Sequence, residues 1–170
     1  ARRGAGPARG LFIVFEGGDG AGKTTQVNLL CTALRRHGHD VLTTREPGDT
    51  WLGRQIRHLV LSPDSGGISP KAEALLYNAD KAQHLAEVVR PALDQGRIVV
   101  SDRYVDSTIA YQGAGRALSV DEVARLAGWA TDDLVPDLTV LLDVDPATAA
   151  ERMDGRDRME SAGDEFHRRV

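Results

Sequence analysis

The sequence predicts an α/β fold in which helices flank a doubly wound parallel sheet. Three observations lead to this prediction: short apolar runs alternate with stretches of helical spacing, a glycine-rich loop joins the first run to the first helical stretch, and the composition suits a packed core. Of the 170 residues, 41% are hydrophobic and 27% are charged. This balance excludes a disordered chain, a collagen-like repeat and a disulfide-rich miniprotein, and the length suits one domain.

The first element is a strand over residues 11–15, a continuous apolar run that ends shortly before a pair of glycines. Such runs are typical of strands that are buried on both faces of a parallel sheet. From Lys23 the spacing of apolar residues becomes helical, with Val27 and Cys31 on one face, and Gly38 ends this helix. A strand, a glycine loop and a helix therefore open the fold.

The later elements repeat this alternation. Apolar runs predict further strands over residues 40–44, 98–101 and 138–144, and helical spacing predicts helices over residues 51–61 and 71–93, around 105–112, from 119 to 130 and from 145 onwards. The turn-rich residues 62–69 are interpreted as a surface loop between helices. Residues 1–10 are interpreted as a flexible tail of Arg, Gly and Ala, so residues 11–170 form a single domain.

Charge and cysteine usage exclude several classes of partner. The chain has 21 Lys and Arg residues against 25 Asp and Glu residues, so its net charge is −4 and it is no general polycation for nucleic acid. Its apolar runs are far shorter than the roughly 20 residues that cross a bilayer. The single cysteine, Cys31, cannot form an internal disulfide. We therefore expect a cytoplasmic protein that binds neither nucleic acid nor membranes.

Residues 17–24 read GGDGAGKT and satisfy the phosphate-loop pattern G-x-x-x-x-G-K-[ST]. The pattern follows a predicted strand and precedes a predicted helix, and this context makes an accidental glycine-rich turn the weaker interpretation. Glycines let successive main-chain amides face a phosphate, Lys23 adds a full charge, and Thr24 can offer its hydroxyl to a Mg²⁺ ion. The predicted phosphate-binding residues of this segment are Gly17, Gly18, Asp19, Gly20, Ala21, Gly22, Lys23, Thr24 and Thr25.

This loop favours a P-loop NTPase-type fold, but it serves ATPases, GTPases and small-molecule kinases alike. A GTPase would be expected to carry an Asn-Lys-x-Asp segment that reads its base. Residues 77–81 read YNADK, which has the wrong order. A GTPase is therefore the less favoured class.

Charged residues follow two further predicted strands. Asp102 and Arg103 come where the strand over 98–101 ends, and Arg45 follows the strand over 40–44. The carboxyl ends of parallel strands meet at the edge where the phosphate loop opens. Asp102 can orient the water shell of a metal ion, and the two arginines suggest a bound phosphomonoester. A surface Asp–Arg pair is the alternative interpretation.

Five strings resemble those of a bacterial thymidylate kinase: FEGGDGAGKTTQ at residues 15–26, TREPGDT at 44–50, SDRYVDSTIAYQGAGR at 101–116, PDLTVLLDVDP at 136–146 and GRDRMES at 155–161. The likeness extends over residues 11–170, and the second and third strings are far more specific than the phosphate loop. The resemblance implies transfer of the terminal phosphoryl group of ATP to dTMP, giving dTDP and ADP, with Mg²⁺ as cofactor. It also implies a homodimer, and a final strand and helix that we expect this chain to lack.

The resemblance also assigns roles to residues near the acceptor. Arg45 and Arg103 hold the phosphate of dTMP, Tyr77 stacks on the thymine, Thr108 and Gln112 lie near its polar edge, Tyr111 disfavours a ribose, and Glu160 contacts the acceptor from a lid. Asp19 is implied beside the acceptor and the Mg²⁺ region, where Thr24 and Asp102 also act, mostly through water. Taken alone, Tyr77 and Tyr111 are as well explained by ordinary core packing.

A short, Arg-rich lid is predicted after the last strand, where ERMDGRDRMES carries Arg152, Arg156 and Arg158. Arg152 is predicted to bind ATP phosphates, and Arg156 to neutralise the charge of the moving phosphoryl group. The alternative is an exposed helix with i,i+4 ion pairs. The predicted catalytic residues are Lys23, Arg103, Arg156 and Asp19.

Two positions depart from the family pattern. Asp49 replaces a second glycine, and Lys81 replaces an arginine that contacts thymine. Because lysine lacks the planar fork of arginine, we expect a looser or water-assisted contact there. The nearest rival functions are a deoxynucleoside kinase and another monophosphate kinase of the same fold. A non-catalytic module that binds ATP is the alternative from another class.

Overall fold

Four parallel strands form one sheet in the order β2, β3, β1, β4. The computed structural model describes residues 9–152 and 157–170. The strands are β1 (Phe12–Glu16), β2 (Val41–Arg45), β3 (Ile98–Asp102) and β4 (Leu138–Leu141). The predicted parallel α/β sheet is confirmed. Strands β1 and β3 lie in its interior, and most of their side chains are buried, as their continuous apolar runs indicate.

The helices follow the predicted alternation with some changes of extent. They are α1 (Lys23–Arg36), α2 (Trp51–Leu61), α3 (Pro70–His84), α4 (Arg90–Asp94), α5 (Val105–Thr108), α6 (Val120–Thr131), α7 (Pro146–Glu151) and α8 (Asp164–Arg169). A π-helical turn, Leu85–Val89, joins α3 to α4, and a second one, Ile109–Gly115, continues α5. The helix predicted over 71–93 is therefore one helical segment with a wider turn inside it. In the described part of the chain, no helix is both long and apolar enough to cross a membrane.

Two boundaries show how local and tertiary contacts set the ends of elements. Ser119 caps α6 by accepting a hydrogen bond from the Glu122 amide at 3.3 Å, which confirms the predicted start of that helix. The strand predicted over 138–144 is wrong at its end, because β4 stops at Leu141. Its partner β1 ends at Glu16, opposite Leu141, so the ladder between the two strands ends at that pair.

The tail predicted for residues 1–10 lies mostly outside the described residues, which begin at Arg9. The Arg9 side chain pairs with Asp137 at 3.2 Å, and the Gly10 amide donates to the Leu93 carbonyl at 2.8 Å. Arg9 and Gly10 are therefore attached to the fold by an ion pair and a backbone hydrogen bond, and do not belong to a tail.

Two apolar clusters lie on opposite faces of the sheet. Phe12 and Val99 belong to a cluster that includes residues of α4 and the first π-helical turn, whereas Phe15 and Val100 pack with residues of α1. Neighbouring strand residues thus point to opposite faces, as the two-residue period of a strand requires. With both faces covered, the carboxyl ends of β1, β2 and β3 lie side by side, and Asp102 is the ladder partner of residues on both neighbouring strands.

Truncation of Phe12 is expected to destabilise the fold strongly. Its side chain is 0% exposed and packs edge to face on Tyr104, with ring centroids 5.0 Å apart. Phe12→Ala should lower the free energy of unfolding by about 3–5 kcal/mol, measured by denaturant titration. The neighbouring Leu11 is 51% exposed, so Leu11→Ala should change that free energy by no more than about 0.5 kcal/mol. Equal losses in the two variants would contradict this description of the core.

Candidate active site

A glycine-rich loop over residues 17–22 joins β1 to α1. Gly20 has a φ of 77°, a left-handed conformation that favours glycine, and a Cβ there would lie 2.4 Å from the Ala149 carbonyl oxygen. A Cβ at Gly17 would lie 2.5 Å from the Leu142 carbonyl oxygen. The loop therefore packs directly against the backbone that follows β4 and against α7. This packing holds the loop amides beside the N-terminus of α1, where an anion is favoured.

Lys23, the first residue of α1, folds its side chain back over this loop. Its ammonium donates to the carbonyl oxygens of Gly17 at 2.9 Å and Gly18 at 2.7 Å, and the residue is 7% exposed. Burial, and to a smaller extent the nearby Arg103, lower the pKa of Lys23 to about 8, although three neighbouring carboxylates oppose this shift. The surroundings therefore leave the ammonium poorly neutralised, which suits the binding of an anion.

A hydroxyl and a carboxylate meet beside the loop. Thr24 donates to Oδ2 of Asp102 at 2.7 Å, and Asp102 is the last residue of β3. Such oxygens are the ligands that Mg²⁺ prefers, and an ion that bridges phosphates needs few of them from the protein. The pair therefore fits the predicted cofactor. Among the described residues, no group of three or more His, Cys, Asp or Glu side chains could hold an ion by itself.

Arg103 connects the loop to the helical segment that follows β3. It donates to the Gly17 carbonyl at 3.2 Å and to the Ser107 hydroxyl at 3.0 Å. It also pairs with Asp19, whose second carboxylate oxygen accepts from the Tyr111 hydroxyl at 2.7 Å. Burial opposes the ionisation of Asp19, but Arg103 and this hydrogen bond outweigh it and hold the pKa of Asp19 below its usual value. Both oxygens of Asp19 are thus engaged, and its contact with a metal ion stays a prediction.

Two adjoining cavities open at this edge of the sheet. The first, called the loop cleft, is lined by Asp19, Gly20, Gly22, Lys23, Thr24, Thr25, Arg45, Glu46, Arg57, Asp102, Arg103 and Arg152. The second, called the aromatic pocket, is lined by Asp19, Glu46, Pro47, Arg57, Leu61, Tyr77, Lys81, Arg103, Tyr104, Ser107, Thr108, Tyr111, Gln112, Asp157 and Met159. Asp19, Glu46, Arg57 and Arg103 line both cavities, so the two share a wall.

The aromatic pocket combines two rings with buried polar groups. Tyr77 comes from α3 and Tyr111 from the second π-helical turn, while Thr108 and Gln112 are almost fully buried. Burial raises the pKa of Tyr77, and it raises the pKa of Tyr111 to about 12, so both hydroxyls stay protonated. Such a lining suits a flat ring that carries hydrogen-bonding groups at its edge.

Lys81 lines the aromatic pocket, but its charge is already paired. Its ammonium donates to Oε2 of Glu46 at 2.6 Å, and Oε1 of the same carboxylate lies 2.8 Å from Nδ1 of His84. All three side chains are buried. Burial opposes the ionisation of Glu46, but Lys81 and His84 outweigh it and hold the pKa of Glu46 below its usual value. A ligand could therefore contact only the remaining hydrogens of the Lys81 ammonium.

Breaking this buried pair is expected to be costly. Lys81→Met would remove the ammonium from the buried Glu46 carboxylate and leave His84 as its remaining partner, so the free energy of unfolding should fall by about 3 kcal/mol. Thermal or denaturant unfolding measures the loss. Lys81→Arg is the matched control because it keeps a positive charge at the same position, and its loss should be clearly smaller. Equal losses would show that packing and not the ion pair carries the effect.

The three arginines of the predicted lid have different positions. Arg152 lines the loop cleft, and Arg156 lies outside the described residues. Arg158 donates to the Val60 carbonyl at 2.7 Å and pairs with Glu73, so it is held against α2 and α3. Arg158 therefore lines neither cavity, and the contacts predicted for Arg152 with ATP phosphates and for Arg156 with the moving phosphoryl group stay predictions.

Glu160 belongs to a turn and is not among the residues that line the two cavities. Its carboxylate accepts a hydrogen bond from the Asp157 amide at 3.0 Å. Asp157 and Met159 line the aromatic pocket instead. A direct contact between Glu160 and a ligand would require this turn to rearrange, and it stays a prediction.

Sequence reasoning misses Arg57, which lines both cavities. Arg57 extends from α2 and donates to the Pro47 carbonyl at 3.0 Å. The spacing of Arg57 from the buried residues of α2 is the sequence feature that could have identified it. Arg57 lies four residues after Gly53 and three before Val60, both of which are buried, so a charged residue falls on the inward side of an amphipathic helix.

Comparisons with known proteins agree on one family. The thymidylate kinase family model matches residues 15–170. A curated thymidylate kinase from Cutibacterium acnes is 68% identical over 95% of this chain and 79% of its own length, and one from Bifidobacterium longum is 54% identical over 95% and 80%. A crystal structure of thymidylate kinase from Ehrlichia chaffeensis matches with a TM-score of 0.75 at 38% identity, covering 85% of this chain and 76% of that one. The matched residues 15–170 contain every residue that lines the two cavities.

Proposed function

Because this chain belongs to the thymidylate kinase family, it is a dTMP kinase that transfers the γ-phosphoryl group of ATP to dTMP, and we propose which of its residues hold the two nucleotides. The loop cleft takes the phosphates of ATP, and the aromatic pocket takes dTMP. The observation that carries this proposal is the shared wall, where Arg57 and Arg103 line both cavities. A phosphoryl group that passes between the cavities would pass beside these two guanidinium groups.

On the ATP side, the main-chain amides of residues 17–22 and the N-terminus of α1 bind the phosphates. Lys23 exchanges its bonds to the loop carbonyls for phosphate oxygens, and the negative charge of the phosphates raises its pKa again. Thr25 and Arg152 add contacts, since both line the loop cleft.

On the acceptor side, Arg57 and Arg103, which line both cavities, hold the phosphate of dTMP, and Arg45 reaches it from the loop cleft, which all three arginines line. Arg45 is the last residue of β2 and Arg103 directly follows β3, and planar guanidinium groups match the geometry of phosphate oxygens. This arrangement selects an acceptor that is already phosphorylated, so thymidine itself should be a poor substrate.

The base and sugar are held by the remaining lining of the aromatic pocket. Tyr77 stacks on the thymine, and Thr108 and Gln112 face its polar edge. Tyr111 is held by its hydrogen bond to Asp19, and a ring fixed in this way disfavours the extra hydroxyl of a ribose. Lys81 contributes through the hydrogens that Glu46 leaves free, or through water.

No side chain has to act as a general base. The second pKa of a phosphomonoester is about 6, so the acceptor is already an anion at neutral pH. Catalysis then depends on aligning the two nucleotides and on neutralising charge on the moving phosphoryl group. Lys23 and Arg103 supply this charge within the described residues. Arg156 is proposed as the arginine that completes it, on the basis of its place in the sequence.

Thr24 and Asp102 would hold the Mg²⁺ ion, mostly through water, because they offer a hydroxyl and a carboxylate beside the phosphate loop. When bound, such an ion neutralises charge on the outer phosphates. In the free protein the two side chains hydrogen-bond to each other and are thereby kept in place.

The test is a phosphorylation assay of the purified protein with Mg-ATP and, separately, dTMP, dUMP, dCMP, dGMP and thymidine. ADP release is expected to be fastest with dTMP and very slow with thymidine. Rates with dCMP or dGMP that equal the rate with dTMP would refute the proposed base contacts. Faster turnover of thymidine than of dTMP would refute the arginine site for the acceptor phosphate.

A homodimer and a cytoplasmic location are further parts of this proposal. Trp51, Leu75 and Trp129 are large apolar side chains exposed on α2, α3 and α6, and apolar surface of this kind supports a contact between copies. The single buried thiol of Cys31 supports a reducing compartment. Light scattering on the purified protein tests the dimer, and a monomer at micromolar concentration would contradict it.

A further inference from the structure

A buried carboxylate behind the aromatic pocket, that of Glu73 in α3, joins three segments of the chain. Glu73 is 0% exposed and accepts hydrogen bonds from Gln112 at 3.0 Å and from Arg116 at 3.0 and 3.1 Å, and it pairs with Arg158. Burial favours the neutral acid, but these three partners outweigh it and hold the pKa of Glu73 below its usual value. Glu73 is therefore ionised and can only accept hydrogen bonds.

The ionised carboxylate determines the direction of the neighbouring amide. A glutamine side chain has a donor nitrogen on one side and an acceptor oxygen on the other. Gln112 turns its Nε2 to Glu73, because the reverse orientation would place two acceptors in contact at a buried position. Gln112 also lines the aromatic pocket. The atom of the amide on the side away from Glu73 is the acceptor oxygen Oε1.

We propose that Glu73 is a positioning residue for base selection: through Gln112 it presents a hydrogen-bond acceptor to a pyrimidine that carries a hydrogen on N3. This inference rests on the proposed function, in which the aromatic pocket holds the base of dTMP. Thymine has an N3–H donor, whereas cytosine has a lone pair at N3. Cytosine would face Oε1 of Gln112 with a second acceptor, and the amide cannot turn to correct the mismatch while Glu73 accepts from Nε2. Uracil carries the same N3–H and is not rejected by this contact.

The test compares kcat/KM for dTMP with that for dCMP in the wild-type protein and in Glu73→Gln. Glutamine has the same shape as glutamate but can either accept from Gln112 or donate to it, so the Gln112 amide becomes free to turn. The ratio of the two kcat/KM values should fall by about tenfold or more, because the pocket loses its preference for one pairing pattern. A loss of both rates with an unchanged ratio would make Glu73 merely structural and would overturn the proposal.

Arg116→Met is the matched control. It removes another partner of the same carboxylate and leaves the contact between Glu73 and Gln112 in place. Its dTMP-to-dCMP ratio should stay within about twofold of the wild type, since the acceptor direction is unchanged. A tenfold fall in this control would overturn the proposal, because packing of the cluster would then set the selectivity. A wild type that does not phosphorylate dTMP would instead refute the proposed function, so the two failures are distinguishable.

Should Glu73→Gln fail to fold, the wild type decides the question. Nuclear Overhauser effects from the Nε2 hydrogens of Gln112, measured in labelled protein with bound dTMP, are expected to reach the side-chain hydrogens of Glu73. Effects that reach the thymine and not Glu73 would show that the amide points the other way, and would overturn the proposal.

Discussion

Lys23→Met is expected to lower kcat/KM for ATP by about 10²–10³ while leaving the fold intact. Methionine keeps the aliphatic stem but carries no charge, so the loop cleft loses a cation that would contact the transferred phosphoryl group. Because the ammonium is buried and poorly neutralised in the free protein, the variant should be no less stable than the wild type. Steady-state kinetics and thermal unfolding measure the two quantities.

Lys71→Met is the matched control for this change. Lys71 is exposed in the first turn of α3 and lines neither cavity, so its substitution should leave kcat/KM within about twofold of the wild type. A comparable loss in both variants, or an active Lys23→Met protein, would remove Lys23 from the site.

Titration of the Lys23 ammonium should make both kcat/KM for ATP and the stability of the fold depend on pH. Its pKa is lowered from 10.5 to about 8 in the free protein, so raising the pH through about 8 removes its proton and should lower kcat/KM for ATP, which reports on the free enzyme. Stability should respond in the opposite sense. The unfolded chain binds the proton more tightly between these two pKa values, so the contribution of Lys23 to stability rises with pH in that window.

Lys23→Arg separates this titration from other causes, because arginine keeps its charge throughout the range. Its activity should be lower than that of the wild type, but the decline near pH 8 should disappear. A wild-type profile that stays flat through this range, or a decline that persists in Lys23→Arg, would contradict the assignment.

Arg103→Met is expected to lower kcat/KM for dTMP by about 10³ or more. The guanidinium lines both cavities and is held by Gly17, Ser107 and Asp19, so this side chain is already in position before the nucleotides bind. Arg103→Lys keeps a charge but loses the planar fork, and its activity should lie between those of Arg103→Met and the wild type. Steady-state kinetics with dTMP as the varied substrate measure the loss.

Arg103 contacts Gly17 in the phosphate loop, so Arg103→Met could also change ATP binding, and ATP affinity has to be measured as well. Binding of a fluorescent ATP analogue should change by no more than about threefold, because the loop amides and Lys23 are still present. Arg90→Met is the control, since Arg90 pairs with Asp132 at 3.1 Å and lines neither cavity. An Arg103→Met protein that binds dTMP and turns it over like this control would contradict the proposed transfer across the shared wall.

Features that are contiguous in the chain could be predicted from it. The glycines, the lysine and the threonine of the phosphate loop all lie within the contiguous string GGDGAGKT, so the loop can be predicted without knowing the fold. Arg45 and Arg103 follow apolar runs, and the rule that parallel strands end at one edge brings them together. The family resemblance, which rests on five such strings, is confirmed by the comparisons.

Contacts between distant segments could not be predicted in this way. The residues next to Glu46 in the sequence do not predict its ion pair with Lys81, which lies 35 residues away. Those next to Glu73 do not predict its ion pair with Arg158, which lies 85 residues away. The family resemblance places Lys81 where thymine is contacted, and Arg158 lies in the predicted Arg-rich lid. In the structure each is paired with a buried carboxylate, because a charge that is taken out of water needs a partner.

From its sequence alone this protein is identifiable as a parallel α/β phosphoryl-transfer enzyme with a phosphate loop, since periodicity and short motifs depend on neighbours within one strand or one turn. The tertiary structure decides which of the charged residues face the two cavities and which form ion pairs with one another. It places Arg57 in the shared wall, pairs Lys81 with Glu46 and turns Gln112 by means of Glu73. The physical reason is that burial and ion pairing depend on which segments pack together. The order of residues along the chain does not give the distances between segments that are far apart in sequence.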